Sequence, residues 1–198
     1  MSLPTGLIMP GQFVAQMPMI AGNYYDSTQV FGGRDTGTGA LVANILYAVP
    51  FIPVSLSRSY GTPVGIDRLA INITTGASAG KKLRLGVYAL GSDGKPGSLI
   101  VDGGELAADS IAGVEDTVSQ SLQCGVPCYL GVVSDGTPTV RLLEFVGQKT
   151  GQTVNNDNTL RFAWQVSLTY TAGVTVLPAT FGSPSVSSAA PQIMVRVA

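Results

Sequence analysis

The sequence predicts an all-β protein in which two antiparallel sheets pack against each other, and three observations point to this class. Short runs of alternating apolar and polar residues recur along the chain, as in strands with one buried face. Turn residues separate these runs at a spacing of roughly 8–12 residues, which is typical of sandwiches and barrels. The 25 glycines and 12 prolines among the 198 residues leave little room for a long helix. With 45% hydrophobic residues, the chain is also too apolar to be intrinsically disordered.

Residues 1–40 are predicted to form an extended N-terminal arm, and residues 41–198 to form the sandwich. In the arm, prolines and glycines interrupt every apolar cluster before a strand or helix period is established. The arm nevertheless carries many apolar side chains between Leu7 and Ile20, and a free tail of this kind would aggregate. We therefore expect it to dock on another protein or a neighbouring subunit, with folding back onto its own domain as the alternative.

From residue 41 onward, the alternation and the turn signals predict about nine strands. In chain order they are Ile45–Val54, Leu69–Thr74, Lys82–Ala89, Leu99–Asp102, Glu115–Leu122, Cys128–Ser134, Val140–Val146, Arg161–Tyr170 and Ile193–Val197. Pro50 and Pro53 place the first strand at an edge or a bend. The strand at 161–170 alternates most regularly and has Trp164 on its apolar face. We expect Trp164 to be a core residue rather than a platform for a sugar ring.

Charge and residue usage argue against several functions. The net charge of −1 gives no basic surface for nucleic acid, and no apolar run approaches the roughly 20 residues of a membrane-spanning helix. The lack of histidine removes the commonest general base, the imidazole-dependent triads and the usual zinc sites. We therefore expect no enzyme, no metal or other cofactor, no nucleic-acid partner and no membrane insertion. The first residues lack the basic and apolar segments of a secretory signal, so we expect synthesis in a host cytoplasm.

The two cysteines, Cys124 and Cys128, are separated by Gly-Val-Pro. Without histidines or further cysteines they cannot complete a tetrahedral zinc site, and their spacing is one residue longer than the Cys-x-x-Cys redox motif. Two interpretations stay open. They are either small buried hydrophobic residues in a reducing cytoplasm, or a disulfide across the turn.

The polar clusters offer few candidates for chemistry. Ser92-Asp93-Gly94 and Asn155-Asn156-Asp157-Asn158 carry oxygen atoms that suit calcium, but the spacing of a calcium loop with a terminal glutamate is missing. Residues of these types are also what tight turns require, and we favour turns. The densest acidic stretch, Glu105 to Asp116, could supply the paired carboxylates of a glycosidase. No aromatic cluster flanks it, so we favour a solvated loop.

The aromatic residues permit a glycan-binding surface. Exposed rings stack on sugars, while nearby amide, carboxylate and guanidinium groups bind the hydroxyls. We expect such contacts in loops or on an exposed sheet face, because the inward side chains are used in packing. The candidate glycan-binding residues are Arg58, Tyr60, Asp93, Asn155, Asn156, Asp157 and Asn158.

Four stretches resemble a module found in virion proteins of tailed bacteriophages. They are Ile66-Asp67-Arg68-Leu69-Ala70-Ile71-Asn72-Ile73-Thr74-Thr75, Leu83-Arg84-Leu85-Gly86-Val87-Tyr88, Gly94-Lys95-Pro96-Gly97-Ser98-Leu99-Ile100, and the segment from Leu122 to Val133. The resemblance spans residues 45–140 and departs from the module at Cys124, where proline is usual, and at Leu130, where tryptophan is usual. It implies a sandwich similar to jelly rolls or carbohydrate-binding modules, as in fibre, baseplate and head-decorating proteins. It brings no catalytic residues.

These observations and the resemblance together predict a structural and attachment component of a bacteriophage-like virion. Such a component would be a fibre or spike subunit that binds a host surface polysaccharide during adsorption. The expected partners are other virion proteins, reached through residues 1–40, and further copies of the chain in a cyclic homo-oligomer, a trimer by analogy with fibres. Two alternatives stay open: a capsid decoration protein that stabilises the head, and the carbohydrate-binding module of a carbohydrate-active enzyme.

Overall fold

The structure, a computed structural model, describes residues 19–27, 34–54, 59–144, 163–187 and 189–198. These residues contain no helix and form two antiparallel sheets packed as a β-sandwich, which confirms the predicted fold class. The strands in the described part of the chain are β1 (Tyr24–Tyr25), β2 (Arg34–Ala40), β3 (Ile45–Phe51), β4 (Pro63–Thr75), β5 (Lys82–Leu90), β6 (Pro96–Ala107), β7 (Ala112–Gln123), β8 (Cys128–Ser134), β9 (Thr139–Glu144), β10 (Ala163–Ser167), β11 (Ser185–Ser187) and β12 (Ile193–Val197).

Sheet A is built around β4, the longest strand. One edge of β4 pairs with β7 along almost its whole length. Its other edge pairs first with β12 and then with β9, and β1 and β2 continue the sheet beyond those two strands. The pairing with β7 shifts register between Ile66 and Arg68, as at a β-bulge. The shift explains why the buried positions of β4 step from Ile66 to Leu69 before they alternate regularly through Ile71.

Sheet B has the strand order β11-β10-β3-β8-β5-β6, and its middle strands are buried on both faces. Every residue of β8 is buried, and so are most residues of β3 and β5. One set of alternating side chains faces sheet A and forms the inter-sheet core. Its members on the central strands include Leu83, Leu85 and Val87 of β5, Leu130 and Val132 of β8, Ile71 and Ile73 of β4, and Ile193 and Val195 of β12.

Residues 168–184, which we call the strap, connect β10 to β11 and cover the outer face of sheet B. The strap begins beside Asn44, the one non-glycine residue with positive φ in the described part of the chain (φ 64°). The Asn44 carbonyl accepts the N–H of Leu168 at 2.8 Å, and its side-chain oxygen accepts the N–H of Tyr170 at 2.9 Å. From there the strap reaches β6 at the opposite edge of the sheet, so it crosses the whole width of sheet B.

The strap closes a second apolar cluster, which is separate from the inter-sheet core. The Phe181 ring meets the Tyr88 ring edge-on, with their centroids 5.1 Å apart. The buried members of this cluster are Leu46, Ala48, Tyr88, Tyr129, Val133, Tyr170, Leu177 and Phe181. Those on β3, β5 and β8 alternate with inter-sheet core residues, so the two clusters lie on opposite faces of sheet B.

The predicted strands differ from the observed strands mainly at their ends. The strand predicted at 161–170 is β10, which ends at Ser167, because Leu168 to Tyr170 turn away to start the strap. The strand predicted to reach Val146 is β9, which is described as far as Glu144. The sequence analysis assigned no strand to β1, β2 or β11, because they are too short or too rich in polar residues and glycine to show a clear alternation.

The boundary predicted at residue 40 does not match the start of the sandwich. β1 and β2 lie inside the predicted arm, yet β1 pairs with β12 and β2 pairs with β9. Tyr25 is 5% exposed and belongs to the inter-sheet core. These segments fold onto their own domain because β12 and β9 offer backbone groups that need partners. Residues 1–18 lie outside the described part of the chain.

We predict that Gly86 of β5 tolerates no side chain. A Cβ at this position would collide with Leu177 of the strap and would lie 2.9 Å from the carbonyl oxygen of Val101. Overpacking of this kind costs about 1–3 kcal/mol, so Gly86→Ala should lower the free energy of unfolding in urea by that amount. Gly37→Ala is the matched control, because a Cβ there meets no atom within 4 Å. Equal stability of the two variants would contradict close seating of the strap.

Candidate functional site

Three loops leave the sandwich at one end, and two of the predicted glycan-binding residues lie in them. Phe51, Cys128 and Ala89 are paired across β3, β8 and β5, which places the β3–β4, β5–β6 and β7–β8 connections at the same end. Tyr60 lies in the first connection and Asp93 in the second. The other predicted contacts lie outside the described residues: Arg58, Asn155, Asn156, Asp157 and Asn158.

Tyr60 presents an aromatic ring to solvent at this end of the sandwich. Tyr60 is 78% exposed, and its ring lies close to Gly125, which adopts a positive φ of 80°. The neighbouring backbone is fixed by hydrogen bonds from Gly61 N–H to the Cys124 carbonyl and from Cys124 N–H to the Thr62 carbonyl, at 2.7 and 2.9 Å. Tyr60 is therefore an exposed ring on a rigid support, which is the geometry that stacking on a sugar requires.

Asp93 lies in the turn between β5 and β6, together with a lysine that the sequence analysis did not single out. The Asp93 carboxylate accepts the backbone N–H of Lys95 at 3.2 Å and lies 3.8 Å from the Lys95 ammonium. The ammonium in turn lies 5.6 Å from the centre of the Trp164 ring, within the range of a cation–π interaction. The turn thus brings a carboxylate, an ammonium and an indole together.

The side chain of Tyr129, on β8, anchors this turn. Its hydroxyl donates a hydrogen bond to the Gly94 carbonyl at 2.5 Å and is also hydrogen-bonded to Trp164. Burial raises the pKa of Tyr129, and the hydrogen bond to Trp164 works against that increase. The phenol therefore stays protonated at neutral pH and links the turn to β10.

We call Asp93, Lys95, Tyr129, Trp164 and Val186 the Trp164 patch. Val186 pairs with Trp164 across β10 and β11, lies on the same face, and is 57% exposed. The prediction that Trp164 is a core residue needs correction, since the side chain is only half-buried and lies on the outer face of sheet B. That face is apolar because the strap covers part of it, so the alternation in β10 did not distinguish it from the inter-sheet face.

Cys124 and Cys128 are not joined by a disulfide, and both are buried in the inter-sheet core. Burial raises the pKa of the Cys128 thiol to about 12, so it carries almost no thiolate at neutral pH. In this structure the two residues act as small apolar side chains at the start of β8 and in the turn before it.

The acidic stretch from Glu105 to Asp116 serves three different parts of the structure. Glu105 binds the strap, Asp109 accepts the N–H of Gly80 at 2.8 Å, and Glu115 faces the open side of sheet A. The carboxylates in this stretch thus have separate structural partners, and this distribution does not resemble the paired carboxylates of a glycosidase.

The open face of sheet A carries five mutually paired polar residues, which we call the sheet A network. Arg196 donates two hydrogen bonds to Asp67, at 2.7 and 2.8 Å, and lies over the Tyr24 ring. Glu115 accepts a hydrogen bond from Tyr24 and pairs with Arg68 at 3.4 Å. Hydrogen bonds from Arg196 lower the pKa of Asp67, and the hydrogen bond from Tyr24 lowers that of Glu115. These five side chains pair with one another and are partly exposed to water. Their interactions therefore contribute little to the free energy of unfolding.

Neither metal ligation nor a family match identifies the site. The described ranges hold no group of three or more histidine, cysteine or acidic residues that could bind a metal ion. Within these same ranges, no helix has the length and apolar character that crossing a bilayer demands. No protein-family model matches the chain, and no curated protein matches it.

We predict that removal of the Tyr129 hydroxyl loosens the Trp164 patch. Tyr129→Phe leaves the Gly94 carbonyl and Trp164 without a part-buried hydrogen-bond partner, and the loss of a hydrogen bond of this kind costs about 0.5–1.5 kcal/mol. The free energy of unfolding should fall accordingly, and acrylamide should quench the fluorescence of Trp164 more strongly. Tyr60→Phe, which alters an exposed ring, should change neither measurement. An unchanged Tyr129→Phe protein would contradict the role assigned to this phenol.

Proposed function

We propose that the chain is a structural and attachment subunit of a bacteriophage-like virion, in which the sandwich presents a glycan-binding surface to the host cell. The observation that carries the proposal is the placement of the four stretches that resemble the phage module. They lie on β4, on β5, on the β5–β6 turn with the start of β6, and on β8 with the turn before it. Three of the four stretches thus lie on the neighbouring strands β8, β5 and β6 of sheet B, and the fourth lies on β4, the central strand of sheet A.

The two departures from the module, at Cys124 and Leu130, leave aromatic side chains on the outer face of sheet B. Leu130, which stands where tryptophan is usual, is fully buried in the inter-sheet core, so its side chain does not reach solvent. On the opposite face of β8, Tyr129 is hydrogen-bonded to Trp164 of β10. This chain therefore places an indole on the outer face from a different strand. The backbone of Cys124 ties the β7–β8 turn to the β3–β4 connection through hydrogen bonds with Gly61 and Thr62.

The Trp164 patch and Tyr60 have the chemistry that a saccharide requires. An indole and a phenol ring offer apolar faces for the C–H groups of a sugar, and carboxylate and ammonium groups bind its hydroxyls. The side chains of Asp93 and Lys95 are 62% and 40% exposed, so both can exchange their mutual contact for a ligand. A shallow surface of this kind binds single saccharides weakly.

Assembly into an oligomer compensates for weak single sites, because several copies on one particle rebind a polysaccharide at high effective concentration. A cyclic homo-oligomer presents all its copies in one direction along its axis, and we propose a trimer by analogy with fibres and spikes. Since β1 and β2 pair with this domain, the proposed contact with other virion proteins narrows from residues 1–40 to residues 1–18, whose apolar side chains suit docking.

Removal of the charged part of the Trp164 patch should slow adsorption strongly without affecting assembly. Virions that carry Asp93→Ala with Lys95→Ala should adsorb to host cells at least about tenfold more slowly, because each avid contact combines several weakened sites. Particle yield and the amount of the protein per particle should stay unchanged. Immunogold labelling in the electron microscope should place the protein on a fibre or spike.

The matched control removes an exposed ion pair elsewhere. Arg68→Ala with Glu115→Ala breaks the pair in the sheet A network and should leave adsorption unchanged. If patch variants adsorb normally while loss of the protein makes the heads fragile, the chain is a capsid decoration protein. If purified particles contain none of the protein, it has no place in the virion and the proposal is wrong.

A further inference from the structure

The tip of the strap is held on sheet B by a carboxylate from β6. The Oε1 atom of Glu105 accepts the Tyr170 hydroxyl at 2.7 Å and the backbone N–H of Gly173 at 2.6 Å. Both donors belong to the strap. One charged atom therefore fixes two points of this segment, and hydrogen bonds to a charged acceptor are stronger than neutral ones.

An ion pair holds the middle of the strap in the same way. The Asp102 carboxylate binds the Arg84 guanidinium at 2.6 Å with one oxygen and accepts the N–H of Leu177 at 3.0 Å with the other. Arg84 also donates to the Thr175 carbonyl at 3.4 Å. From Tyr170 to Leu177, the strap is thus tied to sheet B through the side chains of Arg84, Asp102 and Glu105, which we call the latch.

The remainder of the strap is attached by uncharged contacts. Near β6, Leu99 N–H donates to the Ala179 carbonyl at 2.9 Å, and Phe181 N–H donates to the Gly97 carbonyl at 3.0 Å. The apolar cluster beneath the strap is separate from the inter-sheet core. The tip can therefore lift without removing any side chain from between the two sheets.

We propose that the strap is an acid-released lid: protonation of Glu105 removes negative charge from the latch and frees residues 170–177 from sheet B, while the two-sheet core stays folded. Lifting the tip withdraws Leu177 from the surface of Gly86 and exposes the apolar outer face around Tyr88. The exposed side chains would add to the Trp164 patch, which lies on the same face. The lid thus controls how much of the aromatic surface is open.

The direction of the pH dependence follows from Glu105. The hydrogen bond from Tyr170 lowers the pKa of Glu105, and those from Gly173 and the charges of Arg84 and Lys82 add to this, against a smaller effect of burial. Its contribution to lid closure is therefore complete above the ordinary carboxyl pKa of about 4.3 and is lost as the pH falls through the lowered value. The lid opens under acid conditions.

Other ionisable groups surround the latch. Lys82 of β5 acts on Glu105 through its charge, and Asp116 of β7 lies beside Gly104, next to the latch on β6. Burial opposes the charge of Arg84, but its hydrogen bond to Asp102 raises the pKa of the guanidinium overall, so Arg84 stays cationic. The pKa of Tyr88 and that of Tyr170 are both raised, mainly by burial, so both phenols stay neutral. Glu105 is thus the group through which acid acts on the strap.

Amide variants of the latch carboxylates remove their negative charge and nearly keep their shape. Glu105→Gln and Asp102→Asn keep similar size and an oxygen acceptor but imitate the protonated carboxylates. In the double variant at pH 7, the amides of Gly173 and Leu177 should exchange with deuterium at least about tenfold faster, while those of β4 and β12 stay protected. Trp164, the single tryptophan, should become more accessible to acrylamide. The wild type should acquire both properties as the pH falls through the lowered pKa of Glu105.

Glu115→Gln is the matched control, since Glu115 also accepts a tyrosine hydroxyl and pairs with an arginine but touches no part of the strap. It should leave exchange in the strap unchanged. The proposal is wrong if the double variant protects Gly173 and Leu177 as well as the wild type does. It is equally wrong if β4 and β12 lose protection together with the strap, because the strap would then have no separate transition.

Discussion

The contacts through which Arg84, Asp102 and Glu105 hold the strap allow sheet B to bury both of its faces. A sheet of a sandwich ordinarily has one face against its partner sheet and the other in water. Here β3, β5 and β8 carry apolar side chains on both sides, and Tyr88 and Leu46 would be exposed without a cover. A segment that lies across a sheet has backbone groups that no neighbouring strand satisfies, and the latch supplies partners for them. Without these polar contacts, the strap would not cover the second apolar cluster on the outer face of sheet B.

The Trp164 patch lies on the outer face of sheet B, next to the area that the strap covers. The strap returns toward β11 beside Val166, and beyond it the outer face still presents Trp164 and Val186. The β5–β6 turn closes the same area from the other side with Lys95 over the indole. The patch is therefore the border between a covered and an open part of one sheet face. Its rings are held by the packing of the covered part, while its charged groups reach solvent.

The sequence predicted the sandwich well and the site only in part, for physical reasons. The alternation at Leu69–Thr74 and Lys82–Ala89 and the turn residues that bound the other runs made the strands evident. The same alternation in β10 could not tell the inter-sheet face from the face beneath the strap, and Trp164 was assigned to the core. The strap itself has apolar residues without a period, and its partners Asn44 and Glu105 are distant in the chain. Lys95 was missed because only the fold brings it over Trp164.

The position of β12 bears on how the protein is made. β12 lies inside sheet A between β1 and β4, yet the chain reaches it only after β5 to β11. During synthesis, one edge of β4 therefore stays unpaired while the strands of sheet B are made, because its partner β12 comes later in the chain. An unpaired apolar strand edge can join the same edge of another nascent chain.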